Sequence, residues 1–154
     1  MCCTCGVNGM IRLEKISKDN YRECLRLQVA EYQTKFVAPN SRSLAKAYVY
    51  YDTAIPFVVY SEEKMVGFIL LRHYDEGNSY IIDQFMIDER YQGRGYGKQA
   101  MKLIIERIKS EGKYSKIILC YIDGDEIAKK LYIGLGFHHT GEVDENEILM
   151  ALNF

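Results

Sequence analysis

The segment Gln92-Gly93-Arg94-Gly95-Tyr96-Gly97 places a glycine at every second position between an apolar run and a helical stripe. The run is residues 79–87, and the stripe is formed by Ala100, Met101, Ile104, Ile105 and Ile108. A strand, a glycine loop and a helix in that order leave few folding options. Glycine lets a backbone N–H approach a bound group closely. The first N–H groups of a helix have no partner inside the helix, and its dipole favours negative charge there. A phosphate or pyrophosphate is the natural ligand, with Arg94 and Lys98 adding positive charge. Two common phosphate motifs fail here. A P-loop requires glycine five positions before Gly97-Lys98 and Ser or Thr after them, where the chain has Gln92 and Gln99. A dinucleotide fingerprint starting at Gly93 requires glycine at the position of Lys98. What remains is Gln-x-x-Gly-x-Gly.

The rest of the chain narrows the function classes. Its 154 residues suffice for one domain with a sizeable core. The formal net charge of −1 gives no electrostatic footprint for nucleic acid. No apolar run approaches a membrane span, and the start shows neither the basic nor the apolar region of a signal peptide, so a cytoplasmic protein is expected. Cys2, Cys3 and Cys5 crowd the first residues, whereas Cys24 and Cys120 sit in periodic apolar segments. No second Cys or His pair stands at zinc spacing, so no metal is expected. Residues 1–9 read as a flexible extension and 10–154 as the domain.

Apolar periodicity predicts strands at 10–16, 57–60, 65–72, 79–87, 116–122, 138–143 and 147–152. It predicts helices at four places: through Val29 after Ser17-Lys18-Asp19-Asn20, which offers caps, at 43–51, after the glycine loop, and at 126–135. Residues 34–41 read as a loop. The order β α α β β β α β α β β implies an α/β (α+β) domain: one mixed, mostly antiparallel sheet with helices on both faces.

In that context the glycine segment resembles the cofactor motif of the GNAT superfamily of N-acetyltransferases. So do Asp83-Gln84-Phe85-Met86-Ile87 before it, and Ala128-Lys129-Lys130-Leu131-Tyr132 with Gly134-Leu135-Gly136-Phe137 after it. The resemblance covers about residues 10–152. It implies acetyl-CoA as co-substrate, held by the loop from Gln92 to Lys98, by the backbone of Phe85, Met86 and Ile87, and by Asp125, Ala128 and Lys129. Family members often carry Asn where this chain has Asp125, which keeps an acceptor but loses the amide donor. The family also often forms dimers, so a homodimer is an expectation by resemblance.

Acetylating an alkylamine of pKa ~10.4 at pH 7 requires removing a proton, at about 4–5 kcal/mol. It also requires an acid for the departing thiolate. Ala128 and Tyr132 lie one helical turn apart on one face, and the resemblance gives Tyr132 the acid role. With 13 tyrosines in the chain, position rather than residue type carries this assignment. The alternative is a core tyrosine with a satisfied hydroxyl. Asp83 is an acid in an apolar strand. It reads as a general base, as a ligand for a substrate cation, or as a structural ion-pair partner. Glu31 is a further base candidate.

Residues 83–92, Phe36-Val37-Ala38-Pro39-Asn40-Ser41, Ser43-Leu44-Ala45 and Thr140-Gly141-Glu142-Val143-Asp144 are similar to bacterial spermine/spermidine acetyltransferases. A polycation would suit Glu31, Asp83 and Glu142, which otherwise read as solvated surface. An aminoglycoside, another small amine, a protein N-terminus, or a CoA-binding regulator without catalysis are the other readings.

Overall fold

The computed structural model describes residues 10–154. The expected extension 1–9, with Cys2, Cys3 and Cys5, lies outside the described residues. The elements follow the expected order: β1 (Ile11–Lys15), α1 (Tyr21–Arg26), α2 (Asn40–Val49), β2 (Ala54–Ser61), β3 (Lys64–Tyr74) and β4 (Ser79–Ile87) come first. Then come α3 (Tyr96–Glu111), β5 (Lys116–Ile122), α4 (Glu126–Gly134), β6 (His138–Asp144) and β7 (Glu147–Asn153). Single 3-10 turns occupy Glu31–Gln33, Asp75–Gly77 and Glu89–Tyr91. One seven-stranded sheet runs β1-β2-β3-β4-β5-β7-β6. Every neighbouring pair is antiparallel except β4 and β5.

The continuous apolar runs in β2 and β3 are explained by burial on both faces. Phe57, Val59, Ile69 and Leu71 meet the stripe of α3, with Ala100, Met101, Ile104 and Ile108 fully buried. On the opposite face Val58, Phe68 and Leu70 meet Cys24, Leu27 and Ala47 from the α1–α2 segment. Helix α3 stops at Gly112, whose φ of +69° suits glycine at a helix end.

Four local expectations need correction. Helix α2 begins at Asn40, inside the expected loop, and ends at Val49. Helix α1 ends at Arg26, and Leu27 is already extended. Asn20 does not cap that helix through its side chain. Its Oδ1 accepts from the Ser17 N–H at 2.7 Å and its Nδ2 donates to the Lys15 carbonyl at 3.1 Å, so it closes the turn after β1 instead. Strand β2 begins at Ala54 rather than at 57, because Ala54, Ile55 and Pro56 pair with Arg72, Leu71 and Leu70 of β3, while β1 reaches only residues 57–61. Pro56 therefore lies beyond the end of β1, where its carbonyl accepts from the Ile16 N–H.

Candidate active site

The only parallel pairing in the sheet is short. Strands β4 and β5 pair at Tyr80–Ile117, Ile81–Ile118 and Ile82–Leu119, and no further. Beyond that point β4 continues to Ile87 and β5 to Ile122, so the two strands part like a fork. Among the described residues, the β4 edge from Asp83 to Ile87 has no strand on the β5 side. Apart from the Ile87 carbonyl, which accepts from Gln92 Nε2, this edge suits a ligand that mimics a strand.

Strand β4 is also bulged at the fork. Leu70 pairs with Gln84 and Leu71 with Ile82, leaving Asp83 as the extra residue. The bulge reverses the alternation of side chains. Tyr80 and Ile82 face α3, but after the bulge it is Phe85 that joins that layer, while Met86 joins the α1–α2 layer. Asp83 therefore projects towards α2.

The glycine loop follows β4. Gly93 and Gly95 have φ of +76° and +82°. An added Cβ at Gly93 would meet no atom within 4 Å, and at Gly95 only Gln99 Nε2 at 3.7 Å. Helix α3 starts with no side chain capping its first N–H groups. Bare backbone, open space and an uncapped helix start together form a cradle of a shape that suits an anion. Gln92 braces it from behind: its Nε2 donates to the Ile87 carbonyl and to Gln33 Oε1, each at 2.9 Å. Asp88, 1% exposed, ties the end of β4 to the segment after α1. It accepts from the N–H of Gln28 at 3.0 Å, from the N–H of Arg90 at 3.0 Å and from Arg90 Nε at 2.8 Å. Burial works to raise its pKa, but these hydrogen bonds outweigh it and hold the carboxyl below the usual range.

A cleft of about 1120 Å³ runs from the fork to this cradle. It is lined by Phe85–Ile87 of β4, by Gln92, Gly93 and Gly95–Lys98 of the loop, and by Asp125, Ala128 and Tyr132 around α4. Those expected ligand-binding residues are therefore brought together. Arg94 and Lys129 are not part of the lining. Arg94 instead lies over the Tyr91 ring, 5.8 Å from its centre. Asp125 Oδ1 accepts from the Ala128 N–H at 3.2 Å, so this side chain caps α4. Tyr132 is 6% exposed. Burial pushes its phenol far above the ordinary value, with Asp125 and Cys120 adding in the same direction, so the hydroxyl keeps its proton.

Asp83 lines the cleft with both oxygens engaged. Arg72 Nε donates to Oδ2 at 2.7 Å and Arg72 Nη2 to Oδ1 at 3.4 Å, while Lys46 Nζ donates to Oδ1 at 2.9 Å. A carboxylate held this way fits the ion-pair reading better than that of a free base. Glu31 and Glu142 lie outside the lining; the additional carboxylate found there is Glu147, which is exposed like them but borders the cleft. Lys46, Arg72, Cys120 and Glu147 were not anticipated. A lone Arg72 facing a lone Asp83 in adjacent apolar strands was the one readable signal.

A strand fork, a glycine loop at an uncapped helix start and a buried phenol thus line one cleft. The sequence profile of the Acetyltransferase (GNAT) family matches residues 13–137, and the chain belongs to that family. By class it is an N-acetyltransferase. Among its relatives, the spermine/spermidine N(1)-acetyltransferase of Bacillus subtilis is 34% identical over 144 residues, 88% of this chain and 93% of that protein. The probable spermine N(1)-acetyltransferase of Bacillus subtilis subsp. natto is 33% identical over the same length and coverage. The fold matches the spermidine N-acetyltransferase of Vibrio cholerae, solved with CoA and spermine, at a TM-score of 0.77 and 17% identity, covering 93% of this chain and 95% of that one.

Proposed function

We propose that this protein transfers an acetyl group from acetyl-CoA to a primary amine of a polyamine such as spermidine or spermine, with both substrates bound together. The carrying observation is the parting of β4 from β5 after Ile82 and Leu119, which opens a strand edge directly between the glycine cradle and Tyr132. CoA suits the residues present. The pyrophosphate suits the bare N–H groups of Gly93–Gly97, and the amides of the pantetheine arm suit the free edge at Phe85–Ile87. Ala128 leaves room where a larger side chain on α4 would close the cleft. Bound acetyl-CoA supplies an acetyl group activated as a thioester.

The amine attacks as its free base, its proton having passed to water, and the protein's own groups act on the acetyl group and the leaving sulfur. An N–H of the β4 edge is a fixed donor for the oxygen that gains charge during attack. Tyr132 holds a proton at its hydroxyl for the departing sulfur. The α1–α2 side of the cleft receives the amine, and Gln92 and Asp88 fix that side to the cradle through Gln33 and Gln28. The polyamine choice rests on the 34% identical relative. A regulator that binds CoA without turnover has no use for a protonated phenol lining the cleft, which favours the enzyme.

The deciding assay is acetyl-CoA-dependent thiol release with spermidine and spermine, run beside an aminoglycoside and a peptide amine. Release with the polyamines alone is expected. Release with another amine and none with polyamines would overturn the substrate reading. Tight CoA binding without release from any amine would support the regulator.

A further inference from the structure

Three carboxylates line the cleft among the described residues: Asp83, Asp125 and Glu147. Asp125 is spent capping α4. Asp83 carries two cations, which differ in kind. Arg72 is fixed, with 14% of its side chain exposed, its guanidinium on both oxygens and the Tyr50 ring 4.6 Å away. Lys46 reaches Asp83 from the surface of α2, with 43% of its side chain exposed and one contact at 2.9 Å. Glu147 has no ion-pair partner among the described residues.

These groups share one face of the sheet. Strand pairing sets Ile122 opposite Glu147 and Cys120 opposite Leu149, so Glu147 is the diagonal neighbour of Cys120. Cys120 lies one step past the last parallel pair, level with Asp83. The Cys120 thiol is pushed up to about 12, first by burial and then by Glu147, with Asp83 and Lys46 also acting on it. The two carboxylates thus flank one uncharged thiol at the apex of the fork. Lys46 is itself a primary ammonium on a four-carbon chain, the same chemistry as the end of an aminobutyl arm. Its presence on Asp83 shows that the position accepts such a group.

We infer that Asp83 and Glu147 bound an ammonium subsite for the acceptor, and that Lys46 is a built-in competitor which an incoming alkylammonium displaces from Asp83. This deepens the polyamine reading and rests on it. Arg72 stays in place throughout and keeps Asp83 oriented. Lys46 releases easily because a half-exposed pair holds weakly and its ammonium hydrates well. Asp83 is not the residue to replace, since its loss would strand Arg72.

The test is calorimetric titration of the full chain with spermidine, with CoA affinity as the check on folding. Lys46→Met should tighten spermidine binding about threefold to fivefold, the size of one half-exposed ion pair. Lys46→Arg keeps the competing charge and should stay at the affinity of the unmodified protein. Glu147→Gln should weaken binding by about fivefold, again the scale of one such pair. No gain in Lys46→Met, an equal gain in Lys46→Arg, or unchanged binding in Glu147→Gln overturns the inference. Thiol release judges the function separately. Spermidine that binds more tightly to Lys46→Met but is acetylated by neither protein would sink the polyamine reaction and leave the subsite standing.

Discussion

A phenol that stays protonated is useful only if something needs its proton, and the acyl transfer proposed for the cleft that Tyr132 lines would supply that need. The α4 helix brings Ala128 and Tyr132 to the cleft one turn apart, with the Phe137 ring 6.0 Å away holding the phenol from behind. Tyr132→Phe keeps this packing and removes the proton. It should lower kcat by about 100-fold or more while leaving CoA affinity unchanged, the range of a general acid. Single-turnover kinetics with calorimetry on the same variant would check it, and an unchanged kcat would return Tyr132 to the core. Asp88 acts at the same scale on stability. Its folded pKa lies below that of the unfolded chain, ~3.9, so its contribution is complete above about pH 4 and is lost as pH falls through the folded value. Asp88→Asn should cost about 2–3 kcal/mol near neutral pH, the scale of hydrogen bonds to a charged group, and less at an acid pH where the folded carboxyl is protonated. Urea midpoints at both pH values measure this, and equal losses would remove the carboxylate charge from the account. The placement of Tyr132 and the glycines on one cleft was readable because it follows from local pattern: a one-turn spacing and a loop between two periodic segments. The surroundings of Asp83 were not. Its partners stand 11 and 37 positions away, and only the β3–β4 pairing and the placement of α2 unite them.

At the scale of elements the site depends on how closely β3 and β4 approach where β4 turns into the loop. Gly67 pairs with Ile87 there. A Cβ on Gly67 would lie 2.5 Å from the Met86 carbonyl oxygen and 2.8 Å from Ile87 Cδ1, and the backbone atom cannot swing aside. Gly67→Ala should therefore cost about 1–3 kcal/mol, as overpacking does. It should also weaken CoA binding, because Met86 and Ile87 form the free edge. Loss of stability without loss of CoA affinity would separate that edge from the cofactor. The Gly95→Val substitution attacks the cradle instead, placing a branched side chain at φ +82° in the space above the helix start. CoA binding should disappear, and unchanged affinity by calorimetry would sink the cradle assignment. Strands β4 and β5 were readable to the residue, since period and flanking turns both mark their ends. The bulge was not: Ile81-Ile82-Asp83-Gln84-Phe85 has no glycine or proline to announce it. Helix α1 was over-extended for the opposite reason, since Leu27 and Val29 continue an apolar spacing that burial of an extended segment satisfies equally well.

Across the whole molecule, element order followed from the sequence, but strand order did not. Inserting β7 between β5 and β6 depends on pairing Lys116–Ile122 with the last strand, a long-range choice that no local pattern encodes. That choice has a consequence for stability. The α3-side core, with β1–β4, and the β5–β7–β6 sheet are joined within the sheet by only three residue pairs between β4 and β5. A ligand lying in the fork replaces the missing pairing and binds only the folded chain. At a free CoA concentration of 100 times its Kd, linkage adds about 2.7 kcal/mol to the folded state. For a chain of this length that corresponds to a rise in Tm of ~5–10 °C. Differential scanning calorimetry with and without CoA gives the shift. The same experiment on Gly95→Val should show none, because that variant closes the cradle while leaving the fork intact. Stabilisation of equal size in both proteins would mean that CoA is held somewhere other than the fork and its glycine loop.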